Sequence, residues 1–224
     1  IGCKTLQLHP DFGQIKLWLQ QTLASAPPNA ILKLILTRGS GGRGYRIGAE
    51  VAPRCLISVH PLPENLDEPA KGIKAFVCKQ RLAWQPTLAG LKHLNRLEQV
   101  LASAEFPDNS YSEGLMLDYS DNVIEGTRTN LFLGVKGKLL TPDLQGSGIN
   151  GVMRRKLLEH FSGQTTITTI PLEHLVQADE IFLVNSVVGI WPVTHLTFGT
   201  EERDYIPGPF SRSAVKYFQK AQGK

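Results

Sequence analysis

The sequence predicts an α+β fold, and three observations carry that expectation. Asp121-Asn122 and Lys136-Gly137-Lys138 each separate short runs of strand-forming residues, the signature of β-hairpins, so the main sheet is expected to be antiparallel or mixed rather than doubly wound. Two segments, 11–25 and 86–105, space their apolar residues at helical intervals. Between them HPLPENLDEPAKG, residues 60–72, joins three prolines to several acidic residues, the composition of an exposed connector and the place for a domain boundary.

Composition narrows the function. The chain has 224 residues, 42% of them apolar, enough for a core in one large or two small domains, and a formal net charge of +4. Lys and Arg are spread rather than massed, which suits a small anionic substrate and gives no sign of nucleic acid. Cys3, Cys55 and Cys78 are far apart, odd in number and without a Cys-x-x-Cys pair, so a reducing compartment, the cytoplasm, is expected. No stretch approaches the roughly 18 apolar residues of a membrane span, and no signal-peptide pattern is seen. His195 and the other histidines show no metal-ligand spacing, so no metal is expected.

In chain order, Phe12, Ile15, Leu17, Trp18 and Leu23 fall at mostly helical intervals, and Pro27-Pro28-Asn29 ends that helix. AILKLILT (30–37) and RCLISVH (54–60) read as strands. RGSGGRGY (38–45) lies between them and satisfies G-x-G-x-x-G at Gly39, Gly41 and Gly44. A dinucleotide fingerprint needs a helix opening at its last glycine, whereas Pro53 and a strand follow here, so that reading is rejected. Two readings remain. One is a flexible hairpin connection; the other is an anion clamp in which Arg38, Arg43 and Tyr45 meet a carboxylate, which the planar guanidinium fork suits.

Beyond the connector, IKAFVCKQRLAW (73–84) reads as a strand and residues 106–113 as an acidic loop. GLMLDYS (114–120), VIEGTRTNLFLGV (123–135) and LLTP (139–142) are joined by the two hairpin turns. Gly146–Phe161 reads as a glycine-rich turn feeding a helix from about residue 151. Free N–H groups at such an N-terminus form a natural phosphate cup, although an ordinary loop and helix fit equally well. TTITTIPLEHL (165–175) pairs a strand with a short turn or helix, ADEIFLVNSVVGIWPV (178–193) gives buried strands, and residues 208–224 an amphipathic terminal helix.

Two ionisable residues stand out. In PTLAGLKHLNRLEQVLASAE (86–105), Leu91, Leu94, Leu97 and Leu101 recur at steps of three and four, so a helix would bury them in one stripe. Lys92 would then sit at the helix start with Arg96 one turn away. An amine is a nucleophile only when neutral, which partial desolvation or a neighbouring cation can arrange; a solvated lysine is the plain alternative. Glu125, between Ile124 and Gly126, is either a strand residue facing solvent or a carboxylate placed for chemistry.

LAGLKHLNRLEQV (88–100), RGSGGRGY, EGTRTNLF (125–132), GINGVMRR (148–155) and NSVVGIWPV (185–193) together resemble, in order and spacing, the fold-type IV pyridoxal-phosphate enzymes. These include branched-chain and D-amino-acid aminotransferases; KHLNRLEQV and RGSGGRGY are most similar to the aminodeoxychorismate lyase branch. The resemblance implies a small α/β domain at 1–62, a linker at 63–72 and a large cofactor-binding domain at 73–224 built on a mixed, barrel-like sheet with helices. It also implies a segment before Ile1 that carries the small domain's first strands and an arginine for the cofactor phosphate, so the small domain is read as incomplete.

The same resemblance implies the site. Lys92 would carry pyridoxal 5'-phosphate and act as the catalytic base, Glu125 would meet the pyridine nitrogen, and the backbone of Val152 and Met153, with Ser186 or its neighbour Val187, would hold the phosphate. Arg38, Arg43 and Tyr45 would orient the substrate's carboxylates, while Asn130 shapes a turn. The implied reaction converts 4-amino-4-deoxychorismate to 4-aminobenzoate and pyruvate in folate biosynthesis, in a homodimer. An aminotransferase on the same scaffold and an inactive binding protein of the same fold are the alternatives.

Overall fold

The computed structural model describes residues 1–48, 51–63 and 71–221, so most of the expected connector lies outside the described residues. The chain divides into two units, Ile1–Leu66 and Asp67–Lys224. In the first, a four-residue helix α1 (Gly2–Thr5) that the sequence did not announce precedes α2 (Phe12–Ser25). Asp11 caps α2 by accepting the Gln14 N–H at 2.9 Å. Strands β1 (Ala30–Thr37) and β2 (Arg54–Pro61) then pair antiparallel, with Thr37 opposite Arg54. The glycine-rich stretch therefore connects a hairpin.

The second unit contains β3 (Ile73–Leu82), α3 (Leu97–Ser103), β4 (Tyr111–Asp118), β5 (Val123–Gly126), β6 (Asn130–Val135), β7 (Lys138–Pro142), α4 (Val152–His160), β8 (Thr165–Thr168), α5 (Glu173–Gln177), β9 (Glu180–Asn185), β10 (Gly189–Phe198), β11 (Glu201–Asp204) and α6 (Pro209–Ala221). Among the described residues its strands form one mixed sheet, curled into a half-barrel, in the order β5-β4-β3-β10-β9-β6-β7-β8, with β11 beside β10. β3 runs parallel to β4 and β10, and β7 to β8; the other pairs are antiparallel. Both expected hairpins are present, and their tips take left-handed backbone at Asp121 (φ 59°) and Gly137 (φ 76°).

Apolar runs such as NLFLGV and EIFLVN arise because the sheet is covered on both faces. Leu131, Leu133, Ile181 and Leu183 pack on one side with Leu115 and Leu117, whereas Phe132, Phe182 and Val184 pack on the other under α4 and α6. The rings of Phe132 and Phe182 stack at 5.2 Å. Helix α6 is latched from inside the sheet: buried Glu180 accepts the N–H groups of Gly208 (3.1 Å), Phe210 (3.0 Å) and Ser211 (2.8 Å).

Two expectations are corrected. The helix expected over 86–105 is confined to Leu97–Ser103, and Lys92 precedes it in non-helical chain. Gly90 is left-handed (φ 76°), and Arg96, with ψ at 28°, turns its guanidinium back onto the carbonyls of Leu91 (2.6 Å) and His93 (3.0 Å). Those oxygens are the acceptors a helix would have needed. The leucine stripe accordingly is not buried: Leu94, Leu97 and Leu101 are exposed, and α3 buries Gln99 and Ala102 instead. The acidic loop is also shorter than expected, since Tyr111–Glu113 already belong to β4.

Glu180→Ala is expected to leave three N–H groups at the start of α6 unpaired in the interior. A loss of about 2–4 kcal/mol, read by urea unfolding, is the expected outcome.

Candidate active site

Lys92 reaches its place through backbone pairing. Gly90 N–H donates to the carbonyl of Gly148 (2.9 Å) and the Gly90 carbonyl accepts Asn150 N–H (3.1 Å), a parallel bridge that ties the lysine segment to the glycine turn ahead of α4. Gly148 has φ of 80°, and a Cβ there would meet Ile124 at 2.8 Å and Leu144 at 2.9 Å, so the turn requires glycine twice over. Lys92 itself is exposed.

Glu125 lies beneath the same turn. It is buried, and its Oε2 accepts Ile149 N–H at 2.8 Å, while Oε1 is shielded from solvent and has no partner. Burial pushes the carboxyl up to about 7; the Ile149 N–H and the charges of Arg96 and Lys92 pull the other way, and the Gln99 amide adds a smaller pull. Gln99 is also buried with both amide atoms unpaired, so it stands close without completing a hydrogen bond. With Arg96, His93 and Gly148 it lines a cavity of about 240 Å³. Burial and the Arg96 charge lower the His93 pKa, keeping that imidazole neutral.

An unpartnered buried acceptor calls for a donor. A protonated pyridine nitrogen is such a donor, and the cation would favour the charged form of Glu125. The residues present therefore fit the ring end of pyridoxal phosphate.

The start of α4 offers a second set of groups. α4 starts at Val152 with Gly151 as its N-cap and no side-chain cap. Asn130 fixes that start, with Nδ2 donating to the Ile149 carbonyl (2.7 Å) and Oδ1 accepting Gly151 N–H (3.2 Å). The N–H groups of Val152 and Met153, in the first turn of α4, have no intrahelical acceptor and stand at a positive helix end, a fit for a dianion. Buried Arg154 is committed elsewhere, to Thr141, Asn150 and the Pro142 carbonyl. Ser186 is exposed in the turn after β9, and its neighbour Val187 already donates its N–H to Asn185 Oδ1 at 2.8 Å.

In the first unit, the Arg38 guanidinium donates to the carbonyls of Leu6 and Gln7, while Arg43 and Tyr45 are exposed. Sequence reasoning passed over three residues of the second unit. Glu113 was read as loop, yet it is fully buried and binds Thr127 and Thr129; Gln99 and Asn185 gave no signal beyond their polarity inside apolar runs.

Comparisons with known proteins identify the family and the fold. A family model described as amino-transferase class IV matches residues 2–196. The chain is 36% identical to an aminodeoxychorismate lyase of Vibrio harveyi, over 93% of this chain and 78% of that protein. It is similar to the crystal structure of 4-amino-4-deoxychorismate lyase from Pseudomonas aeruginosa, with a TM-score of 0.91 and 41% identity over 98% of this chain and 81% of that one. A branched-chain amino acid aminotransferase from Thermobaculum terrenum, solved in its PLP form, shares the fold at 19% identity with a TM-score of 0.81, over 98% of this chain and 74% of that one.

A raised carboxyl makes stability pH-dependent. Folded Glu125 holds its proton up to about 7 against a usual 4.5, so its contribution is full below 4.5 and is lost as pH rises through 7. Glu125→Gln, which keeps an acceptor for Ile149 but cannot ionise, is expected to melt higher than the parent above pH 7 in the cofactor-free chain. The difference should close in acid, as thermal unfolding at stepped pH will read.

Proposed function

Since the chain belongs to the amino-transferase class IV family, we propose that it is a pyridoxal-phosphate-dependent carbon–oxygen lyase that converts 4-amino-4-deoxychorismate to 4-aminobenzoate and pyruvate. The observation that carries this reading is likeness along nearly the whole chain to two lyases at 36% and 41% identity. The orphaned oxygen of Glu125, close enough to Lys92 to feel its charge, supports the cofactor assignment from the chain's own chemistry.

In this proposal Lys92 anchors the cofactor, Glu125 meets the ring nitrogen, and the N–H groups of Val152 and Met153 with Ser186 take the phosphate. Pyridoxal phosphate supplies an electron sink for the carbon that bears the substrate's amine. Lys92 Nζ takes the hydrogen from that carbon and delivers a proton to the methylene of the enolpyruvyl group as its carbon–oxygen bond breaks, so the ring becomes aromatic and pyruvate leaves. Burial raises the Glu125 pKa, and a ring-nitrogen proton beside its unpartnered oxygen would, with the charges of Arg96 and Lys92, draw it back to the carboxylate form. Arg38, Arg43 and Tyr45 are proposed as the carboxylate-binding groups; within the first unit the Arg38 guanidinium already donates to the carbonyls of Leu6 and Gln7.

We further propose a cytoplasmic homodimer. Free Cys3, Cys55 and Cys78 support the compartment, and among the described residues no helix is long and apolar enough to cross a membrane. Leu94, Leu97, Val100 and Leu101 support the dimer, since all are more than half exposed around one short helix.

With pyridoxal phosphate and 4-amino-4-deoxychorismate, the parent is expected to release 4-aminobenzoate, and Lys92→Ala to lose roughly a thousandfold or more of that rate. Transfer of an amino group from a D- or branched-chain amino acid to a keto acid, without 4-aminobenzoate, would assign the protein to the aminotransferases instead. Leu97→Glu is expected to shift sedimentation toward the monomer.

A further inference from the structure

The turn joining β9 to β10 is held by one side chain. Asn185 Oδ1 accepts the N–H groups of both Val187 and Val188 at 2.8 Å, and its Nδ2 donates to the Arg128 carbonyl at 3.1 Å. The turn is thereby clipped to the loop between β5 and β6. That loop is fixed from inside by Glu113, whose Oε1 accepts the Thr127 N–H (3.1 Å) and hydroxyl and whose Oε2 accepts the Thr129 hydroxyl (2.9 Å). Arg128 also lays its guanidinium over Trp191 of β10, 5.3 Å from the ring centre.

The neighbouring strand repeats the device. Asn130 pairs across the sheet with Val184, the residue before Asn185, and its carboxamide likewise joins an N–H and a carbonyl, those of Gly151 and Ile149. One asparagine sets the start of α4; the other sets the turn that carries Ser186. Because Asn185 occupies the Val187 N–H, Ser186 and not Val187 is the residue of that pair with a donor to offer.

We propose that Asn185 is a positioning residue for the phosphate end of the cofactor site: it clips the Ser186–Val188 turn to the Arg128 carbonyl and so fixes the Ser186 hydroxyl that acts on the phosphate together with the first N–H groups of α4. This rests on the cofactor reading above. Asn185 acts through Ser186, so its effect is confined to ligands that carry the phosphate and vanishes when Ser186 is already impaired.

The test is a binding titration of the full chain, stripped of cofactor, with pyridoxal 5'-phosphate and with pyridoxal. Asn185→Ala is expected to lower affinity for the phosphate ester about tenfold, roughly one good hydrogen bond, and to leave pyridoxal affinity unchanged. In Asn185→Ala/Ser186→Ala the loss should fall short of the sum of the single losses. Additive losses, an unchanged preference for the phosphate ester, or equal losses for both ligands would each overturn the proposal. A parent that binds both ligands equally would overturn the phosphate cup itself, and that failure is read on the parent alone. Asn185 is only partly buried and lies at a strand end, so both variants are expected to fold, and unliganded melting temperatures check this.

Discussion

The peptide from Gly148 to Gly151 is the constraint on which the site depends. Its backbone is bound from several sides: by Gly90 through the Gly148 carbonyl and the Asn150 N–H, by Glu125 through the Ile149 N–H, and by Asn130 through the Ile149 carbonyl and the Gly151 N–H. A stretch this polar is held half-buried because most of its groups have a partner. Side chains are excluded by crowding at Gly148 and by the approach of Asn130 at Gly151. The lysine segment, the buried carboxyl group of Glu125 and the start of α4 therefore take their places by reference to one short run of backbone.

The two buried glutamates of this region show how burial can serve different ends. Desolvation raises the pKa of both. Glu113 is surrounded by donors from Gly114, Thr127 and Thr129, so its cost is offset locally and its role is to fasten a loop. Glu125 has one donor and one oxygen left over. A carboxylate in that condition is held short of satisfaction by the fold itself, and a bound cation relieves it.

Much of this was legible in the sequence, and the failures have physical causes. Asp121-Asn122 and Lys136-Gly137 announced their hairpins because turn geometry is set by the residues in the turn. The lysine, the glutamate and the glycine turn were found through their likeness to a known family, and their burial and mutual spacing could only come from the fold. The spacing of Leu91, Leu94, Leu97 and Leu101 misled, because an arginine that could have lain on a helix face instead took the carbonyls of Leu91 and His93. Period alone does not show where the backbone acceptors go. Asn185 and Glu113 were silent for another reason: the Arg128 carbonyl lies 57 residues from Asn185, and Thr127 and Thr129 lie 14 and 16 residues from Glu113, and no local pattern encodes such pairings.

The bridge between Gly90 and the turn at Gly148–Asn150 also sets an order of events. These segments are far apart in the chain, and β4 to β7 fill the interval between them. The bridge cannot form until both segments have been made, and closing a loop of this length carries an entropic cost that the intervening hairpins reduce when they shorten it. On a ribosome the lysine emerges well before the turn that positions it. A nascent chain at that stage carries the lysine without the glycine turn or α4, so loading with cofactor belongs to the completed sheet rather than to its assembly.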